Sequence, residues 1–132
     1  MKKGFLVLLL MAGCSPTLPT YEVKFSGNTI QVPVNNFENS TFNIVSDESA
    51  PFDIILVKDN PGAYHSLYLK CTNDEKPLDP TPNEIVCPVC GSVYDFDGVV
   101  KSGPSETQLS RFNTELNMDQ TLVTINIEAL GR

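Results

Sequence analysis

The side chains best suited to chemistry are three cysteines in two short segments. These are Cys71-Thr72-Asn73 and Cys87-Pro88-Val89-Cys90-Gly91-Ser92, whose first cysteines lie sixteen residues apart. Thiolates are soft ligands, so Cys71 with the C-x-x-C pair Cys87 and Cys90 can grip zinc or the iron of an iron–sulfur centre. Cys87 and Cys90 can equally close into a disulfide, and one C-x-x-C alone does not choose between these. His65 is the single histidine. By strand alternation it shares a face with Leu67, Leu69 and Cys71, and a packed strand histidine is the simpler expectation than a rescue ligand. Asp47-Glu48 and Asp74-Glu75 read as solvated acidic turns. No serine–histidine–acid set, phosphate-cradling glycine loop or carboxylate pair placed for acid–base work occurs, so an independent enzyme is not expected.

The elements that must position the cysteines are short and β-rich. No stretch carries a helical apolar repeat, and ten prolines recur too often for long helices. Tyr21–Phe25 and Thr29–Val34, joined by Ser26-Gly27-Asn28, are expected to form a hairpin. Further strands are expected at Thr41–Val45, Phe52–Lys58, Ala63–Lys70, Val93–Phe96, Leu109–Phe112 and Leu122–Ile127, with a turn at Asp59-Asn60-Pro61-Gly62. In the last strand Val123, Ile125 and Ile127 share one side, Thr124 and Asn126 the other. The expected fold class is all-β, built of small antiparallel sheets.

The beginning of the chain reads differently. Lys2 and Lys3, an apolar run from Phe5 to Met11, and Ala12-Gly13 before Cys14 follow the order of a secretory signal. The run is far shorter than the roughly 20 residues of a membrane-spanning helix. Leu10-Met11-Ala12-Gly13-Cys14-Ser15 resembles a bacterial lipobox. Residues 1–13 are therefore expected to be a lipoprotein signal peptide, Cys14 to carry lipid, and residues 14–20, with two prolines, to be a tether. This places the protein in the bacterial cell envelope, lipid-anchored to a membrane, with its domain outside the cytoplasm. With Cys14 lipidated, three cysteines remain, an odd count that suits a metal site or one disulfide plus a free thiol. Without Lys2 and Lys3, seven basic residues face sixteen acidic ones, a formal charge of −9. Such a surface repels phosphate backbones and excludes nucleic acid as a natural partner. A protein with a basic patch is a better match.

From Tyr64 to Leu109 the order of motifs resembles a Rieske iron–sulfur domain. Cys71-Thr72-Asn73 is similar to the family's Cys-Thr-His, and Cys87-Pro88-Val89-Cys90-Gly91-Ser92 to its Cys-Pro-Cys-His-Gly-Ser. Val93-Tyr94-Asp95-Phe96-Asp97-Gly98 resembles the aromatic-Asp stretch and glycine turn that follow. Gly103-Pro104-Ser105 resembles the Gly-Pro-Ala loop covering the cluster. With its flanking strands the resemblance covers about Tyr21 to Ile127, leaving 128–132 as a tail. It implies a Rieske-like fold with two cluster-binding loops, a [2Fe–2S] cluster, electron transfer and a redox partner protein. In that family two cysteines hold one iron and two histidines the other. Cys71 and Cys87 stand at the cysteine positions, while Asn73 and Cys90 replace both histidines. The extra cysteine pair that some members use to staple the loops is absent, with Lys76 and Val89 in those places.

The resemblance implies Ser92 and Tyr94 as hydroxyls that hydrogen-bond the cluster and cysteine sulfurs. An asparagine amide is a poor iron ligand, and Asp74, the next residue, and water are the available oxygen donors in its stead. Three readings follow. One is electron transfer through a [2Fe–2S] cluster on Cys71, Cys87, Cys90 and an unorthodox fourth ligand. Another is a cluster-free module, stabilised by a Cys87–Cys90 or Cys71–Cys87 disulfide, that binds a partner protein. The third is a zinc-stapled version of the same fold. For a genuine cluster, Asn73→His is expected to strengthen binding.

Overall fold

The computed structural model describes residues 18–38, 40–59 and 62–130, and among these the regular elements are strands and 3-10 turns. No helix among them is long and apolar enough to cross a membrane. The strands are β1 (Thr20–Glu22), β2 (Thr29–Pro33), β3 (Phe42–Ser46), β4 (Ile54–Asp59), β5 (Ala63–Tyr68), β6 (Asp79–Pro80), β7 (Ile85–Val86), β8 (Val93–Tyr94), β9 (Val100–Ser102), β10 (Arg111–Phe112), β11 (Thr114–Leu116) and β12 (Leu122–Asn126). The turns are Val34–Phe37 and Glu128–Leu130.

A central sheet in the order β1-β3-β4-β5-β10 is buried on both faces. This follows from its sequence: β4 reads Ile54-Ile55-Leu56-Val57 with no polar alternation, the signature of a strand covered on both sides. Ile55 and Val57 face one apolar cluster with Leu67, Leu69, Ile85 and both buried cysteines. Ile54 and Leu56 face the other with Val32, Val123 and Ile125. Ile54, Ile55 and Leu56 are fully buried, each worth roughly 1.5–3 kcal/mol of transfer free energy. The first cluster is closed by the sheet β6-β7-β8-β9, which carries the second cysteine loop, and the other by β11-β12-β2. The cysteine loops are thus braced against a rigid double-sided core. Pairing is antiparallel throughout, except that β1 runs parallel to β3.

The hairpin expected between Tyr21–Phe25 and Thr29–Val34 does not form. Gly27 does turn the chain with φ +70°. β1 nevertheless joins β3 in the central sheet while β2 pairs with β12. The apolar pattern explains it. Ile30 and Val32 are matched across the ladder by Ile125 and Val123 on a shared buried face, whereas Tyr21 and Val23 offer only partly buried partners. Leu18 to Thr20, the end of the expected tether, lie against the sheet. Pro19 accepts a hydrogen bond from the Ile44 N–H at 2.8 Å and Thr20 opens β1. The expected signal peptide and Cys14 fall outside the described residues, as do Asn60 and Pro61 of the expected turn.

Asp47 ties the β1–β2 connection to the turn after β3. Its carboxylate accepts the Phe25 N–H at 2.7 Å, the Ser49 N–H at 2.9 Å and the Ser49 hydroxyl at 2.8 Å. These donors, the Phe25 amide first, lower its pKa from 3.8 to about 2. A carboxyl depressed on folding stabilises the fold above its ordinary pKa and loses that contribution as pH falls through the depressed value. Asp47→Ala is therefore expected to be less stable than the parent at neutral pH. The gap should close between about pH 4 and pH 2 in acid-dependent denaturation curves. A gap independent of pH would show that the carboxylate charge plays no part.

Candidate metal centre

The two cysteine loops are built alike. In each, the N–H of the first cysteine donates to the carbonyl five residues on: Cys71 to Lys76 and Cys87 to Ser92, both at 2.8 Å. In each, the N–H four residues on returns to that cysteine's carbonyl: Glu75 to Cys71 and Gly91 to Cys87, both at 2.9 Å. The returning residue has positive φ in both, 60° at Glu75 and 81° at Gly91. Glycine meets that requirement at no steric cost, so only the second loop announces it in sequence. The backbone amides of the second and third residues after the cysteine donate to its sulfur, Asn73 and Asp74 in one loop, Val89 and Cys90 in the other. Asp74 and Cys90 therefore occupy equivalent places.

Their side chains meet crosswise. Cys71 Sγ lies 3.7 Å from Cys90 Sγ, and Cys87 Sγ lies 3.6 and 3.7 Å from the two Asp74 oxygens. One ligand atom from each of Cys71, Asp74, Cys87 and Cys90 lies within 4.8 Å of the other three. Cys71 and Cys87 are buried, while Asp74 and Cys90 are half-buried. Burial raises the Cys87 thiol to about 11, assisted by the neighbouring Cys71 and Cys90 thiols and opposed by the Val89 and Cys90 amides. For Cys71 burial also pushes upward, but the Asp74 amide and the Tyr94 hydroxyl, with weaker donors, outweigh it and the pKa falls. Burial raises the Asp74 carboxyl too, yet hydrogen bonds from the three thiols hold it below the usual carboxylate range. Three thiols and a carboxylate crowded in this way are a donor set that can hold a divalent cation, the thiols giving up their protons on binding.

Hydroxyl groups back the sulfurs. Tyr94 Oη lies 3.5 Å from Cys71 Sγ and accepts the Thr72 N–H at 3.1 Å. Ser92 Oγ lies 3.2 Å from Cys90 Sγ and accepts the Ser105 N–H at 3.0 Å. Ser105 lies in the loop that the resemblance sets over the site, but its hydroxyl adds a contact that the resemblance does not imply: its buried Oγ is 2.6 Å from Tyr94 Oη and 3.6 Å from Cys71 Sγ. The hydroxyl's role arises only when Gly103-Pro104-Ser105 folds onto the second loop, where the Ser105 N–H donates to Ser92 Oγ. Asn73, at the position matched to a histidine, is exposed. His65 stands elsewhere. Its Nδ1 faces Asp59 at 2.8 Å and its Nε2 the Phe96 carbonyl at 2.6 Å, so it locks the β4–β5 hairpin to the turn after β8.

No family model matches the chain, and no curated protein matches it. Among solved structures it is similar to a chain in the complex of reduced oxygenase and oxidized ferredoxin in carbazole 1,9a-dioxygenase. There the TM-score is 0.52 at 16% identity, over 74% of this chain and 92% of that one. It is also similar to the cyanobacterial plasma membrane Rieske protein PetC3 from Synechocystis PCC 6803, with a TM-score of 0.48 at 20% identity, over 55% of this chain and 75% of that one. The expected fold class holds: the chain is all-β, in small sheets, and shares its fold with a chain of that dioxygenase–ferredoxin complex.

The donors do not fit a [2Fe–2S] centre as the Rieske domains that the sequence resembles hold it. There Cys71 and Cys87 would share one iron, with residues 73 and 90 on the other. Terminal ligands on different irons point away from each other across the sulfide-bridged pair. Here Cys71 and Cys90, assigned to different irons, are 3.7 Å apart, and Asn73 is exposed while Asp74 turns toward the thiols.

Proposed function

We propose that this chain is an electron-transfer protein of the cell envelope. In this reading lipid on Cys14 anchors it to a membrane, and the Rieske frame holds redox-active iron through Cys71, Cys87 and Cys90. The observation that carries the reading is the convergence of three sulfurs from two loops with Asp74 within 4.8 Å. Iron held by these donors would supply one-electron chemistry. The chain's own residues supply the rest: amides of residues 73, 74, 89 and 90 point at the sulfurs and spread their negative charge. Val89, 62% exposed, stands at the tip beside Cys90 and gives a partner an apolar contact next to the centre. The acidic surface, with a formal charge of −7 for the whole chain, favours a redox partner with a basic patch.

The test is an anaerobic redox titration of the iron-loaded protein. Visible thiolate-to-iron absorption is expected to bleach with dithionite and return with ferricyanide through several cycles. Protein that takes up no iron, or whose bands do not cycle, would remove the electron-transfer reading. The contact between Cys71 and Cys90 sulfurs favours one second reading, a metal-free module that binds a partner protein and is stapled between its loops. The staple would be Cys71–Cys90, since these sulfurs lie 3.7 Å apart, rather than either pair expected from sequence. One free thiol per chain, with no metal, would select it.

A further inference from the structure

We infer that the two loops form a single-ion site in which Cys71, Asp74, Cys87 and Cys90 surround one tetrahedral divalent metal, zinc or ferrous iron. This rests on the metal-binding part of the function proposed above and deepens it, because it states how many ions are held and by which fourth residue.

Two observations carry it, the likeness of the loops and the contacts between them, and the lengths of those contacts add a third point. First, both loops share closing hydrogen bonds, amide-to-sulfur bonds and a positive φ at the fifth position. That likeness is a local pseudo-twofold, and it sets the fourth residue of each loop, Asp74 and Cys90, as the inward partner of its cysteine. Asn73, the third residue, corresponds to Val89, and both are exposed. Secondly, the contacts run across the pseudo-twofold: Cys90 meets Cys71 and Asp74 meets Cys87. Four donors related in this way surround one point rather than two separated ones.

Thirdly, the distances suit one ion. With metal–sulfur bonds of about 2.3 Å and metal–oxygen bonds of about 2.0–2.2 Å, the edges of a tetrahedron are roughly 3.5–3.8 Å. Two of the six edges, Cys71–Cys90 and Cys87–Asp74, are 3.7 and 3.6 Å, and all four donor atoms lie within 4.8 Å of one another. Three thiolates and a carboxylate leave a divalent ion with a net charge of −2. The Tyr94, Ser92 and Ser105 hydroxyls, at 3.5, 3.2 and 3.6 Å from the sulfurs, offset part of it. One carboxylate among three thiolates makes the first loop the harder side of the site. Ferrous iron there would be a one-electron centre, and zinc a staple holding the loops together.

The full chain carrying Cys14→Ser is to be stripped of metal and loaded separately with zinc(II) and with ferrous iron plus sulfide. Metal and acid-labile sulfide are counted per chain, and cobalt(II) is used as a spectroscopic probe of coordination. The expected result is one ion per chain, no labile sulfide, and tetrahedral cobalt bands. Asp74→Ala is expected to weaken zinc binding by more than about a hundredfold, beyond the loss typical of an outer-shell partner. Asp74→Cys should keep one ion and intensify the cobalt–thiolate absorption. Asn73→His should change affinity less than twofold, the reverse of what a histidine position demands. Two irons with two sulfides per chain would overturn the single-ion site while leaving iron-based electron transfer standing. No bound metal in any arm would overturn both. Tight binding by Asp74→Ala, with its fold verified by circular dichroism, would remove Asp74 from the site.

Discussion

Cys87→Ser is expected to abolish metal binding. Cys87 is 1% exposed, takes amide hydrogen bonds from Val89 and Cys90, and touches Asp74 from the opposite loop. Serine keeps the shape but offers an alcohol that does not ionise at neutral pH. Structural zinc in small thiolate sites is worth about 10–16 kcal/mol in apparent terms, and that binding energy is folding energy. Loss of one of four ligands, and with it the geometry the other three need, is therefore expected to remove most of that energy. Thermal melts give the cleanest reading. The parent should lose stability when a chelator is added, and the serine variant should melt at one temperature with or without it. A Cys87→Ser chain that keeps one ion and its chelator sensitivity would show that the metal lies elsewhere. An equal melt for parent and variant, both insensitive to chelator, would favour the metal-free reading.

Gly103→Ala should be the most damaging single methyl group in the site's surroundings. Gly103 has φ +95°, and a Cβ there would sit 2.5 Å from the Ser92 Cα and 3.0 Å from its amide nitrogen. The left-handed backbone costs a non-glycine residue roughly 1–2 kcal/mol, and forcing backbone apart adds about 1–3 kcal/mol. Gly91 provides the comparison, because it has φ +81° with no atom within 4 Å of its Cβ position. Gly91→Ala is expected to show only the backbone part. Chemical denaturation of the two variants thus separates strain from collision, and equal losses would show that the Ser92 contact is not tight. Gly103→Ala should also loosen the site itself. The methyl pushes Ser105 away from Ser92, Tyr94 and Cys71, to which it is bonded at 3.0, 2.6 and 3.6 Å.

Much of this was legible from the residues. Unbroken apolar runs such as Ile54-Ile55-Leu56-Val57 specify strands, and Leu67, Leu69 and Cys71 do share one buried face as alternation requires. Period-two patterning is a local property, so it survives without knowledge of the partner strand. The hairpin between Tyr21–Phe25 and Thr29–Val34 failed for the complementary reason. A turn sequence states that the chain reverses, while the sheet each strand joins depends on apolar partners nearly a hundred residues away, here Val123 and Ile125.

Sequence alone determined that three thiols lie in two short loops, since cysteine spacing and the glycine after Cys90 are written in one dimension. Tertiary structure decided which residue completes them. Asn73 and Asp74 are both polar neighbours of Cys71, and nothing in their order says which turns inward. That choice is made by the closing hydrogen bonds of the loop and by Glu75 at φ 60°, which aim Asp74 at Cys87 and leave Asn73 facing water.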